Sequence, residues 1–167
     1  ETFREFQPRE GSDPKVGGAN PYAMNQNLDW SGFKQFLRGR RSLRSFDASR
    51  MPTPEVLHSI ARTALKSPSV CNRQTGRLHV FTGGKVNQLL EYQTGNRGFG
   101  HQVPVLFVVT TDMRFFLSRK ERNQPGIDGG LFALQTVLAI QSEGMGSVCL
   151  NWCVDHNSDL KLREISG

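Results

Sequence analysis

Val103-Pro104-Val105-Leu106-Phe107-Val108-Val109-Thr110 is the stretch that decides the fold. A strand with one wet face alternates apolar and polar residues, whereas this run is apolar at consecutive positions and therefore needs cover above and below. It is expected to be an interior strand, with Pro104 where no ladder donor is required. Outward from it, Leu78 to Thr82 reads as a second strand ended by Gly83-Gly84, and Lys85 to Tyr92 as a helix that turns Val86, Leu89 and Leu90 inward. On the other side, residues 127 to 143 carry Leu131, Phe132, Leu134, Val137, Leu138, Ala139 and Ile140 around almost the whole circumference, which predicts a central, buried helix. Gly129 and Gly130 allow it close packing, and Gly144 is its natural stop.

The flanks supply further elements. Trp30, Phe33, Phe36 and Leu37 recur at helical spacing, and Thr53-Pro54-Glu55 reads as a cap, a first-turn proline and an acid at the positive helix end. That second helix carries Val56, Leu57, Ile60, Ala61, Ala64 and Leu65 on one face and must stop near Ser67, before Pro68. Ser147 to Trp152 reads as a short strand, and Asn157 or Ser158 as the cap of a last helix through Leu160 and Leu162. Residues 1–27 mix Gly, Pro, Asn and charges without apolar periodicity and read as an extended or poorly ordered arm before a domain spanning 28–167. The chain opens at Glu1 and stops at Gly167, so further natural sequence is expected at both ends, the domain being truncated at its C-terminal side.

Composition excludes several classes. A hydrophobic share of 37% with 17 Gly is that of a globular chain, not a disordered one. No run approaches a bilayer span and no secretory leader is visible, so a cytoplasmic protein is expected. Three Cys and four scattered His (58, 79, 101, 156) lack metal-site spacing, so no metal is expected. Gly98-Phe-Gly100 precedes a strand instead of following one and fails as a dinucleotide fingerprint, and no G-x-S-x-G elbow marks a nucleophile. The net charge of +6 is uneven: residues 1–30 hold three basic and five acidic side chains, leaving +8 on the rest. Five Arg crowd between Arg38 and Arg50 against the single Asp47, a cluster that calls for an anion or is a solvated basic face. Nucleic acid is the weaker candidate, because no interleaved aromatics or recognition motif accompany the charge.

Three separated segments cohere: Arg40-Arg41-Ser42-Leu43-Arg44-Ser45-Phe46, Pro68-Ser69-Val70-Cys71-Asn72-Arg73-Gln74, and Gly144-Met145-Gly146-Ser147-Val148-Cys149-Leu150-Asn151-Trp152. From about Phe36 to Gly167 the chain resembles the FMN-dependent nitroreductases, whose marks are Arg-x-Ser-x-Arg/Lys-x-Phe, Pro-Ser-x-x-Asn-x-Gln and a late Gly-Leu-Gly-Ser strand. The resemblance implies an α+β fold in three layers, a mostly antiparallel central sheet flanked by helices. It implies FMN as cofactor, NAD(P)H as donor, a small oxidised acceptor such as a nitroaromatic or quinone, ping-pong turnover, and a homodimer with the flavin across its interface. By the same resemblance Arg40, Arg41, Ser42 and Arg44 address the phosphate and ribityl chain, Arg44 also the pyrimidine edge. Pro68, Ser69, Asn72 and Gln74 address the ring, with Asn96 as a further contact and Cys149, Leu150, Asn151 and Trp152 near N5; no side chain acts as a catalytic nucleophile. An ordinary polar turn at 68–74 and a core role for Trp152 are the plain alternatives.

Two departures from the pattern bear on affinity. Thr75-Gly76 replaces the Pro and aromatic that often follow the Asn-x-Gln, implying a looser turn, and the basic phosphate contacts common near the family's C-terminus lie outside this chain. The stretches Asn96 to His101, Arg122 to Gln124, Asp128 to Leu131 and Leu150 to Trp152 resemble a nitroreductase-like branch found with surface-polysaccharide genes. The alternatives to a turning-over enzyme are a nitroreductase-fold interaction or flavin-binding module and a basic anion-binding or nucleic-acid-binding domain.

Overall fold

The structure is a computed structural model that describes residues 28–166; the expected arm at 1–27 lies outside the described residues. The helices are α1 (Trp30–Gly39), α2 (Pro54–Ala64), α3 (Gly84–Leu90), α4 (Gln124–Ser142) and α5 (His156–Ser166), and the strands are β1 (Gly76–Thr82) and β2 (Val105–Thr111). β1 and β2 pair antiparallel, from Gly76 opposite Thr111 to Thr82 opposite Val105. Pro104 falls just outside this ladder, where its missing donor costs nothing.

Both faces of β2 are covered, as its unbroken apolar run requires. Leu106 and Val108 pack with Phe81 on Val86, Leu89 and Leu90 of α3 and on Leu162 and Ile165 of α5. Phe107, pointing to the opposite face, packs with Val56 and Ile60 of α2, Ala139 and Ile140 of α4, and Met145. The result is three layers, helix on sheet on helix. The expectation of an interior strand is corrected in one respect: among the described residues β2 pairs with β1 alone.

α4 is the backbone of the second layer. Close approach to the sheet depends on glycine at two points: a Cβ on Gly129 would lie 2.8 Å from Thr111 Oγ1, and one on Gly76 would lie 2.8 Å from the Phe132 ring. Gly130 has no such neighbour. α2 lies along α4 in the opposite sense, with Ser59 Oγ donating to Glu143 Oε1 at 2.5 Å and Gln135 Nε2 to the Thr63 carbonyl at 3.3 Å. Thr53 caps α2 by accepting from Val56 N, and Pro54 opens the helix. α4 ends where Gly144 adopts φ 73°, with Gly144 N donating to Gln141 O and Met145 N to Ile140 O, a Schellman closure.

Two elements differ from expectation. The run Ser147 to Trp152 forms a single parallel bridge, Ser42 to Ser147, instead of a strand, because no continuous partner edge is offered to it. The cap of α5 is Asp155, whose Oδ1 accepts from Ser158 N at 2.8 Å, and neither Asn157 nor Ser158. Among the described residues no helix is long and apolar enough to cross a membrane.

Candidate functional site

The segment after α1 carries the basic cluster into an irregular extended stretch. Leu43 N donates to the Ser147 carbonyl at 3.0 Å, which joins Arg40–Arg44 to the strand-like end that follows α4. Gly146 lies against Leu43 at this seam, where a Cβ would force the Leu43 side chain to move. Further along, Phe46 N donates to Gln102 Oε1 at 3.2 Å, and the Phe46 ring lies 6.0 Å from that of buried Phe99. Leu150 packs beside Gly95, and buried Gln93 ties the same region together by donating to Asn151 O at 2.9 Å and accepting from Gly95 N at 2.6 Å. Residues 40–46, 93–102 and 147–151 are therefore one contiguous region of the chain's surface.

The charge in that region meets no carboxylate among the described residues. Arg41 donates Nη1 to the carbonyls of Arg38 and Arg40, and none of Arg40, Arg41 and Arg44 has a carboxylate partner among the described residues. Ser42 and Arg44 are exposed and Arg40 is half-buried. Such donors suit an anion with several oxygens. Asn96 borders an open groove of about 330 Å³ that is lined also by Leu90, Glu91, Arg97 and His101; its Nδ2 donates to the Leu90 carbonyl at 2.5 Å. Cys149, Asn151 and Trp152 are exposed, and Trp152 Nε1 donates to Asp159 Oδ1 at 3.3 Å. Trp152 therefore sits at the surface and not in the core.

The Pro68–Gln74 loop is built separately. Cys71, Asn72 and Gln74 all have positive φ (49°, 53° and 53°), a conformation that Asn tolerates and that Cys and Gln seldom adopt. Ser69 Oγ accepts from Gln74 N at 2.9 Å, and Gln74 Nε2 donates to Asn72 Oδ1 at 2.6 Å. Arg73 reaches out of the loop to the Phe115 carbonyl at 2.9 Å and to Glu121 at 2.8 Å. The Glu121 carboxyl lies below its usual range, held there first by the Leu117 amide and then by Arg73. The expectation of a looser turn after Gln74 is corrected: Thr75 is fully buried, its carbonyl accepts from Asp112 N at 2.9 Å, and Gly76 sits directly on Phe132.

Thus the structure gathers Arg40, Arg41, Ser42 and Arg44 with the Asn96 region and Cys149 to Asn151. Among the described residues Pro68, Ser69, Asn72 and Gln74 have no hydrogen bond to Arg40–Phe46: Ser69, Asn72 and Gln74 bond to one another, Gln74 O accepts from Arg77, and the loop's links to α4 and to 115–121 are made by Val70 and Arg73. Gln93, Gln102 and Asp128 are residues that sequence reasoning did not single out for the site. Their roles depend on partners 56 to 58 positions away, and an isolated Gln or Asp carries no local signature of that.

Both the fold and part of the sequence are similar to those of nitroreductases. Leu37–Tyr92, which contains both the Arg40–Phe46 and Pro68–Gln74 segments, matches the nitroreductase family model. No curated protein matches the chain in sequence. Among solved structures, an FMN-dependent nitroreductase from Clostridium difficile is 28% identical with a TM-score of 0.64 over 78% of this chain and 75% of its own. A protein from Desulfovibrio desulfuricans assigned as a nitroreductase and solved with FMN is 20% identical, TM-score 0.61, over 69% of this chain. The nitroreductase CinD of Lactococcus lactis, solved with nicotinic acid, is 16% identical, TM-score 0.66, over 79% of each chain. This chain spans 65% of the Desulfovibrio protein's length and 75% of the Clostridium protein's.

Proposed function

We propose that the chain is part of a flavoprotein oxidoreductase that uses FMN to pass electrons from NAD(P)H to a small oxidised acceptor, such as a nitroaromatic or a quinone, the two substrates reacting in alternation. The observation that carries this reading is the Leu43–Ser147 junction, which sets the Arg40–Arg44 segment, whose guanidinium groups have no carboxylate partner among the described residues, beside the Cys149–Trp152 stretch. The donor set fits the cofactor: guanidinium groups and a serine hydroxyl suit a phosphate and a polyol, and each charge-assisted hydrogen bond contributes about 1.5–3 kcal/mol.

When bound, FMN supplies the hydride-accepting and hydride-donating chemistry. The protein's own residues bind and orient. Arg40, Arg41 and Ser42 hold the phosphate and ribityl tail, Arg44 places a fixed positive charge at the pyrimidine edge where negative charge gathers on reduction, and the backbone at Cys149–Trp152 lines the reacting edge, with Asn96 a further contact. Pro68, Ser69, Asn72 and Gln74 belong to the same site in a homodimer, where the loop of a second copy reaches the Arg40–Arg44 region. The lack of hydrogen bonds between this loop and Arg40–Phe46 among the described residues supports that arrangement.

Titrating FMN into the purified chain, with absorbance, flavin fluorescence and melting temperature as readouts, tests the reading. A bound flavin spectrum, a thermal shift and bleaching on addition of NADH or NADPH are expected, and Arg44→Ala weakens FMN about tenfold or more. A chain that binds no FMN rules the reading out, and bound FMN that neither nucleotide bleaches points to a flavin-binding module without turnover.

A further inference from the structure

Asp128 lies near the start of α4 and is only 3% exposed, and the proposed chemistry leaves it without a role. Its carboxylate reaches across to the Pro68–Gln74 loop: Val70 N donates to Oδ1 at 3.3 Å and to Oδ2 at 3.2 Å, and Gln124 Nε2 donates to Oδ1 at 2.8 Å. A small cavity of about 10 Å³, of the order of one water molecule, lies between them and is lined by Ser67, Ser69, Gln74, Asp128 and Phe132. The loop it holds has an unfavourable backbone, since positive φ at Cys71, Asn72 and Gln74 is each disfavoured relative to right-handed alternatives. Local hydrogen bonds alone would leave that conformation free to relax. What over-determines it is anchoring from outside, by Asp128 at Val70 and by Arg73 at Phe115 and Glu121.

We propose that Asp128 is the positioning residue of the flavin site: from inside α4 it fixes the amide of Val70 and so presents Ser69, Asn72 and Gln74 in their binding conformation without itself touching the cofactor. Ser69 flanks the anchored amide, and Asn72 and Gln74 follow it in a left-handed stretch whose backbone is least favourable at Cys71 and Gln74. The loop's ability to bind is thereby tied to the sheet-packing helix, because Gly129, next in sequence, is pressed against Thr111 of β2. This inference rests on the functional reading above.

The test compares Asp128→Ala, which removes the acceptor, with the near-isosteric Asp128→Asn, which keeps one, in the full chain. Three readouts are taken: hydrogen exchange by mass spectrometry, FMN affinity by fluorescence quenching, and melting temperature. In Asp128→Ala, exchange is expected to rise about tenfold within 69–75 and to stay unchanged in β1 and β2, with FMN affinity falling about tenfold; Asp128→Asn should recover most of both. Unchanged loop exchange, or a released loop that still binds FMN with wild-type affinity, overturns the proposal. If Asp128→Ala does not fold, Asp128→Asn decides on the same readouts: a two- to threefold loss confined to the loop and FMN supports it, and equality with wild type overturns it. A wild-type chain that binds no FMN defeats the functional reading instead, and the exchange data then judge the anchoring of the loop by themselves.

Discussion

Asp112 shows how much one side chain does at the far end of the sheet. Its carboxylate takes Arg114 Nη2 at 2.6 Å, Arg114 Nε at 2.9 Å and Arg77 at 3.5 Å, while its own amide closes on the Thr75 carbonyl. The Arg114 side-chain hydrogen bonds hold its carboxyl down at about 2, from an ordinary 3.8. A carboxyl depressed in the folded state binds its proton more readily when unfolded, so its stabilisation is complete above the unfolded value and is lost as pH falls from about 4 to about 2. Asp112→Asn should therefore melt about 3 °C or less below wild type at neutral pH, since the pair is open to solvent, and the two curves should converge near pH 2. Melting temperatures that remain equally separated down to pH 2 would assign the difference to packing. At this scale the sequence is only partly legible. The basic cluster stands out because its charge is local, and Arg114 lies only two residues from Asp112, but nothing in the chain near Asp112 or Asp128 announces their distant partners, Arg77 and Val70.

At the scale of elements, local signals and structure agree where the cause is local. Thr53-Pro54 opens α2 because an accepting hydroxyl and a donor-free first turn are written side by side. Gly144 closes α4 for a similar reason: only a residue without Cβ takes φ 73° freely, and the two amide bonds back to Gln141 and Ile140 require that turn. A Cβ at Gly144 meets nothing within 4 Å, so the penalty of Gly144→Ala is purely conformational. It should cost about 1–2 kcal/mol, read as a shift of the urea midpoint with the slope unchanged; an unaltered midpoint would mean that the turn relaxes to another geometry. The Ser147–Trp152 run fails as a strand for the complementary reason. Its Val, Cys and Trp favour extended chain, yet a strand also needs a neighbour, and only Ser42 provides one. The left-handed residues at Cys71 and Gln74 were illegible because tertiary anchors impose them against their own preferences.

On the whole molecule, the sequence of α4 reads as buried on every side, whereas within one chain it is not. Ile127, Leu131 and Leu134 are 54%, 40% and 54% exposed, and with half-buried Leu138 they follow the i, i+4, i+7, i+11 spacing of a single face. That stripe runs toward the end of α4 where Gln141 Nε2 donates to the Phe36 carbonyl, and α1 there exposes Trp30, Phe33 and Leu37. Hydropathy records that a side chain must leave water and is silent on whether its own chain or another covers it, so the excess apolar face of α4 is the part of its pattern that folding does not consume. Under the proposed function a second copy covers this face, and the same association would bring its Pro68–Gln74 loop to the Arg40–Arg44 region. Replacing Leu131 and Leu134 together by Asp places two charges in the middle of that contact. Light scattering should show a dimer for wild type and a monomer for the double variant, a weakening of association by about a hundredfold or more. Far-UV circular dichroism should stay the same, since both side chains face away from the core. FMN affinity should fall in step with dissociation, because each site then loses the loop of its neighbour. A wild-type monomer that binds FMN normally would place all the ring contacts within one chain and overturn the shared site.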